Sequence, residues 1–312
     1  GLASEASRGC PFNCCFCSTS YRKTWRALES SIFVDRLEAV SAHLGRTSGG
    51  HLQVVDDEFT IDRRRVIRIC RELGKRGLSP RLVFNARAND LADRAVVEAV
   101  APFTQELLIG AECGYDDGLA RVGKATTCRQ IEEVARVLSE AGLAARANFS
   151  FILGLPWETP REVTATLRFA CRLYSTYGVR LMLQWYCQIP GSQLWRDRHR
   201  AGVVSPALYD DYGFFRDPYL FLTGVSLTPS EISEISRTLE PVITLSRLRH
   251  PERDMIAYSQ PWVVSRYFSD TALATVDLQG IGSLQEVGCA VTGGRSRREP
   301  RRFAVGARHA RW

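Results

Sequence analysis

Ser7-Arg8-Gly9-Cys10-Pro11-Phe12-Asn13-Cys14-Cys15-Phe16-Cys17 is the stretch that decides what the rest of the chain can be. Thiolates are the usual ligands of iron–sulfur clusters. Gly9 and Pro11 bend the segment, so its thiols can meet at one metal site without help from distant parts of the chain. A 4Fe–4S cluster held by three thiolates keeps one iron open to a further ligand, as open catalytic metal sites do. Cys10, Cys14 and Cys17 form one such set, and Cys10, Cys15 and Cys17 form another. A zinc site needs a fourth ligand nearby, and His43 and His51 lie outside any familiar zinc spacing. A disulfide fits poorly with close-set thiols in a chain that shows no secretory signal.

Working outward, short apolar strands alternate with amphipathic helices. Strands are predicted at His51–Val55, Arg81–Asn85, Glu106–Gly110, Ala147–Leu153 and Arg180–Gln188. One helix carries Val66, Ile69, Cys70 and Leu73 on a single face. A second is predicted from Leu91 to Val100 with Asp90 as its N-cap. Thr127-Cys128-Arg129-Gln130 and Thr159-Pro160-Arg161-Glu162 are capping boxes that open further helices, and Thr228-Pro229-Ser230-Glu231 opens another. The alternation means βαβ units and a parallel sheet. Polar residues and glycines gather after the strands, as the barrel rule expects. A doubly wound sheet would want a phosphate loop after its first strand, and here a cysteine loop takes that place.

At 312 residues and 45% hydrophobic content, the chain can bury a sizeable core. The remaining cysteines are scattered singly on apolar stretches, which suits reduced core thiols and a cytoplasmic location. No apolar run is long enough to span a bilayer, so no membrane role is expected. The net charge of +7 is concentrated beyond Thr292, where seven arginines face Glu299 alone. That tail, residues 292–312, is expected to be disordered and solvated rather than a nucleic-acid arm. The chain starts without Met and reaches the cysteine loop almost at once. This raises the expectation of a fragment, or of an upstream domain that was removed.

The spacing Cys-x3-Cys-x2-Cys, with an aromatic before the last Cys, resembles the signature of radical S-adenosylmethionine (radical SAM) enzymes. Further elements in order resemble the cobalamin-associated branch of that superfamily. They are Tyr21-Arg22-Lys23-Thr24-Trp25-Arg26, Val55-Asp56-Asp57-Glu58-Phe59-Thr60, Ile109-Gly110-Ala111-Glu112-Cys113-Gly114, Phe151-Ile152-Leu153-Gly154-Leu155-Pro156-Trp157-Glu158-Thr159 and Pro190-Gly191-Ser192-Gln193-Leu194. Cys113 stands where the branch usually has Ser, and Trp157 where it usually has Gly. The resemblance covers residues 1–195.

The resemblance implies a partial (βα)6 TIM-like barrel over residues 1–200, followed by a mainly helical C-terminal extension over 201–291. It implies a 4Fe–4S cluster on Cys10, Cys14 and Cys17, with Cys15 a packed bystander. SAM is then chelated at the open iron and cleaved to a 5′-deoxyadenosyl radical. Glu112 is the candidate for the SAM amine or ribose, Arg87 for its carboxylate, and Glu58, with Asp56 and Asp57, for the approach to its amine. Phe16 and Ile152 are candidates to flank the adenine, and Gly154 for close backbone passage. Each has an ordinary structural reading beside the functional one: rim ion pairs for Glu112 and Arg87, core packing for Phe16 and Ile152, a turn for Gly154. Expected partners are a small-molecule or peptide substrate, an electron donor such as flavodoxin or ferredoxin, and a missing cobalamin-binding domain. No Asp-x-His-x-x-Gly cobalamin-type run is present. Carbon methylation is the leading reaction. The alternatives are SAM-only rearrangement, oxidation or epimerisation, tRNA methylthiolation, and a non-enzymatic cluster scaffold or electron carrier.

Overall fold

The computed structural model describes residues 2–19, 23–44, 50–204, 206 and 225–258. The arginine-rich tail, Cys289, residues 209–219, and Tyr21 and Arg22 of the basic-aromatic element lie outside the described residues.

The chain opens with β1 (Leu2–Ser4), then β2 (Ser7–Arg8) and β3 (Arg26–Ala27), which bracket the cysteine loop. Next come α1 (Ser30–Leu44), β4 (Leu52–Val54), α2 (Arg63–Lys75), β5 (Leu82–Arg87), α3 (Ala88–Leu91), α4 (Arg94–Val100) and β6 (Thr104–Glu112). The rest is α5 (Asp116–Val122), α6 (Cys128–Glu140), β7 (Ala147–Leu153), α7 (Pro160–Tyr177), β8 (Arg180–Trp185), α8 (Gln193–Arg200), α9 (Pro229–Arg249) and β9 (Ile256–Tyr258). Among the described residues, β1 and β4 to β9 form one parallel sheet in chain order, with β1 and β9 at opposite edges. Sequential parallel pairing through helices is the barrel pattern, and the separated edges leave the barrel open. β9 makes a seventh strand where six were expected. It comes from the mainly helical extension and pairs with β8, while α9 packs on α7.

Period-two alternation sorts the sheet into two faces. Phe84, Ile109, Phe149, Phe151, Leu183 and their neighbours are buried under the helices. The opposite, concave face is more polar; most of its residues are half-buried, while Arg87 and Asn148 are buried. Its cross-strand rows run Asn85–Leu108–Asn148–Arg180 and Arg87–Gly110–Ser150–Met182, with Ile152 beside Gln184.

All three predicted capping boxes form, at Thr127, Thr159 and Thr228. The cap predicted at Asp90 does not. The segment splits into α3 and α4, and Asp93 caps the second piece by accepting from the Ala95 N–H. Asp90 lies within α3 with its carboxylate turned inward to Thr60. The last predicted strand also ends earlier, at Trp185 rather than Gln188.

Candidate active site

The cysteine loop is gripped from several directions. Asp56 accepts from the Ala6 N–H at 2.7 Å and the Ser7 hydroxyl at 2.5 Å, and it is 2% exposed. Asp57 spans the loop, accepting from the Gly9 N–H at 3.0 Å and the Thr19 hydroxyl at 2.8 Å. Two residues of the acidic run thus brace the loop. Arg65 donates to the carbonyls of Ala6 and Leu28, pinning both strands of the bracketing ribbon. Lys23 N–H donates to the Cys10 carbonyl, and Cys15 N–H donates to Val122. Leu194 N–H, from the first turn of α8, donates to the Cys15 carbonyl. Gly123, at φ 74°, closes α5 so near the loop that a Cβ there would lie 3.2 Å from the Asn13 carbonyl oxygen.

Cys10, Cys14 and Cys17 are half-buried and close enough to feel one another's charge. Burial raises the Cys10 and Cys14 thiols, and Lys124 is the main influence drawing Cys14 back down. Cys15 packs against the hydrophobic core. Among the described residues, no three Cys, His, Asp or Glu side chains close on a single bare ion. A cluster asks for something else, since its ligands bind separate irons: soft thiolates sharing one cavity rather than one point. Three soft sulfur donors in one short, braced loop fit a cluster by the chemistry of the donor set.

Below the loop lies a buried ion pair. Lys124 donates to Glu112 at 2.7 Å, and both side chains are about nine-tenths buried. Glu112 sits at a register shift between β6 and β7 with φ 63°, a left-handed conformation that side chains seldom adopt. A Cβ at Gly110 would lie 2.3 Å from Glu112 Oε1 and 2.5 Å from Lys124 Nζ, so a side chain there would force the pair to shift. Burial pulls the Lys124 ammonium down, but Glu112, Cys14 and Glu58 outweigh it and raise its pKa. Arg87 makes no ion pair among the described residues. It donates to the Lys124 carbonyl at 2.6 Å and lies 3.3 Å over the Phe12 ring. Lys124 is the residue that sequence reasoning missed.

Glu58 parts company with its two acidic neighbours. Its Oε1 accepts from the Thr60 hydroxyl at 2.7 Å, and the same hydroxyl lies 3.1 Å from Asp90 Oδ2. A hydroxyl carries one proton, so it cannot donate fully to two carboxylates at once. Burial pushes Glu58 up to about 7, partly offset by Thr60, and burial raises Asp90 as well. Glu158 is likewise pushed up to about 7 by burial, although it accepts from Leu155 N–H, Gly154 N–H and the Tyr115 hydroxyl. Gly154 has φ 76°, and a Cβ there would lie 2.9 Å from Val225 Cγ1. Its N–H is taken up by Glu158. Phe16 and Ile152 are half-buried against the core edge, Ile152 on the concave face.

A pH dependence of stability follows. Between about pH 4.5, where a free glutamate titrates, and about pH 7, folded Glu58 and Glu158 keep protons that the unfolded chain has released. Each therefore contributes stability that is full at the acid end of this window and lost by its upper end, on the order of 3 kcal/mol apiece. Urea unfolding of the metal-free protein across this window is expected to show the decline. In Glu58→Gln the decline should be shallower.

The comparisons agree with this architecture. The Radical SAM superfamily model matches residues 4–170, and the chain belongs to that superfamily. It is similar to an uncharacterized methyltransferase of Pyrococcus horikoshii, at 30% identity over 191 residues, covering 61% of this chain and 40% of that protein. It is also similar to the anaerobic magnesium-protoporphyrin IX monomethyl ester cyclase of Rubrivivax gelatinosus, at 29% identity over 170 residues, covering 53% of this chain and 29% of the cyclase. The chain thus spans less than half the length of these relatives. Among solved structures, the cobalamin-dependent S-adenosylmethionine radical enzyme OxsB, with aqua-cobalamin and S-adenosylmethionine bound, shares the fold. The TM-score is 0.57 at 16% identity, over 87% of this chain and 45% of that one. Membership of the superfamily implies SAM and a 4Fe–4S cluster. Among the described residues no helix is long and apolar enough to cross a membrane.

Proposed function

We propose that Cys10, Cys14 and Cys17 hold the 4Fe–4S cluster and that SAM binds beside it. The chemistry we assign is carbon methylation of a small molecule or peptide, with cobalamin as the methyl carrier. The observation that carries this reading is the braced loop with its three half-buried thiols, against which Gly123, the neighbour of Lys124 in the buried Glu112–Lys124 pair, is packed. Cluster and SAM, when bound, supply one-electron cleavage of the SAM sulfonium bond.

The chain's own residues bind and orient. Glu112 offers its carboxylate to the SAM amine while Lys124 fixes that carboxylate from one side. Arg87, tethered by one nitrogen, offers its other N–H groups to the SAM carboxylate. Glu58 supports the amine from the loop side, and Phe16 and Ile152 flank the adenine. Gly154 holds the turn beside them. The concave face, with Asn85, Ser150 and Gln184 among Leu108, Ile152 and Met182, receives the substrate out of bulk water. Methyl transfer is favoured because the P. horikoshii relative is described as a methyltransferase. Cobalamin rests on the motif resemblance, and a domain carrying it is the partner we assign.

The test is anaerobic reconstitution with iron, sulfide and a reductant. SAM should be converted to 5′-deoxyadenosine, and methylcobalamin should support methyl transfer in a longer protein that includes any cobalamin-binding domain. Turnover of a substrate by this chain with SAM alone would replace methylation by rearrangement, oxidation or epimerisation.

A further inference from the structure

Trp157 stands where the cobalamin-associated branch usually has Gly, and it brings an N–H into a buried network. An indole can only donate. Trp157 Nε1 donates to the Tyr115 oxygen at 3.2 Å, and the Tyr115 hydroxyl donates in turn to Glu158 Oε1 at 2.9 Å. Glu158 Oε2 receives the Gly154 N–H at 2.7 Å and the Leu155 N–H at 2.9 Å. Every proton in the network points toward one buried carboxylate. A proton added to either of its oxygens would meet a donor already there, so the arrangement suits an ionised Glu158. The two ends of the relay belong to different loops. Tyr115 follows Glu112 by three residues in the loop after β6, and Gly114 in that loop donates to the Thr166 hydroxyl of α7 at 3.0 Å. Glu158 closes the turn after β7 that begins at Gly154. Both rings are seated from α5: a Cβ at Gly118 would lie 2.5 Å from Tyr115 Cζ, and Arg121 lies 4.4 Å over the Trp157 ring.

We infer that Tyr115 and Trp157 are positioning residues: their donor relay to Glu158 locks the Gly154–Leu155 turn to the loop carrying Glu112, so that the two halves of the SAM site are held as one. The inference rests on the SAM placement proposed above. An anion holds three donors more firmly than a neutral acid does, so the lock loosens when Glu158 takes up a proton. The titratable groups facing Glu158 are Tyr115 and Cys113 from the loop after β6 and Glu162 from α7. Burial keeps Cys113 a neutral thiol, and Glu162 adds to the burial that pushes Glu158 up to about 7. The bonds from Leu155, Tyr115 and Gly154 work against that rise. Losing the Tyr115 bond therefore moves the titration of Glu158 upward, by about one pH unit for a charge-assisted hydrogen bond.

The experiment compares wild type, Tyr115→Phe, Trp157→Phe, Glu158→Gln and Tyr115→Phe/Glu158→Gln, all reconstituted anaerobically, with SAM affinity read by equilibrium dialysis across pH. Wild-type affinity is expected to fall as pH drops through about 7. In Tyr115→Phe the fall should begin about one pH unit higher, weakening SAM about threefold near pH 7.5, the ratio of the ionised fractions, with the gap closed by about pH 9. Trp157→Phe should shift the profile the same way by less, because Tyr115 keeps its hydroxyl. In the Glu158→Gln background, adding Tyr115→Phe should shift nothing further. Glu58, also pushed up to about 7, is common to all five proteins and drops out of the comparison. In the metal-free protein, the decline of urea stability with rising pH should reach higher pH in Tyr115→Phe, because the folded-state titration of Glu158 has moved up. A Tyr115→Phe profile that follows wild type at every pH overturns the inference. So does one lying below wild type by a constant factor, which is the mark of packing alone. If cluster-loaded wild type binds no SAM, the reading beneath fails and takes the inference with it. If SAM binds and the profiles coincide, the inference fails alone.

Discussion

Cys10→Ala, Cys14→Ala and Cys17→Ala proteins, reconstituted anaerobically, are each expected to lose the brown iron–sulfur absorbance and all 5′-deoxyadenosine formation, while Cys15→Ala keeps both. The difference rests on placement. Cys15 is packed against the core, with its backbone tied to Val122 and Leu194. Removing one of three thiolates leaves too few ligands for a stable cluster with an open iron. Visible absorbance with iron and sulfide analysis decides the matter. A cluster lost only in Cys15→Ala would assign the other register.

The second large effect is expected at the buried ion pair. Lys124→Met should destabilise the protein by about 3–5 kcal/mol, because it leaves the Glu112 carboxylate buried without a counter-charge. The double variant Glu112→Gln/Lys124→Met should recover most of that loss, since it removes both charges together. Urea unfolding measures both. In Glu112→Ala, SAM affinity should fall at least tenfold, the loss of about 1.5–3 kcal/mol expected when a hydrogen bond to a charged group goes. Full SAM affinity in a folded Glu112→Ala protein would remove Glu112 from the SAM site.

The sequence made some of this legible and hid the rest for physical reasons. Capping boxes at Thr127, Thr159 and Thr228 are local, needing only four consecutive residues, and all three form. The strand Ala147–Leu153 is an apolar run bounded by turn signals, and its limits are as read. The cysteine loop identified itself by spacing. Lys124 did not, because nothing in its neighbourhood marks one cation in a loop as buried. Its role depends on a left-handed residue twelve positions earlier and on a glycine that leaves room. Asp90 was misread for a related reason. Its local pattern suits a helix cap, but Thr60, thirty residues away, claims its carboxylate. Likewise the run Asp56-Asp57-Glu58 is one acidic cluster in sequence and two structures in space. Two members clamp the loop and one joins Thr60.

The bracing of the cysteine loop has a temporal side. The loop precedes in sequence nearly everything that holds it: Asp57, Arg65, Val122 and finally Leu194. During synthesis its thiols leave the ribosome well before the segments that will shelter them exist. Contacts between such distant positions close late, because ordering the intervening chain costs entropy that only long-range contacts repay. A newborn chain therefore passes through an interval in which four neighbouring thiols are chemically available and structurally unguided. Air during that interval favours mispaired sulfurs over an ordered site. Oxygen sensitivity in this protein would then begin at birth, before any metal is loaded.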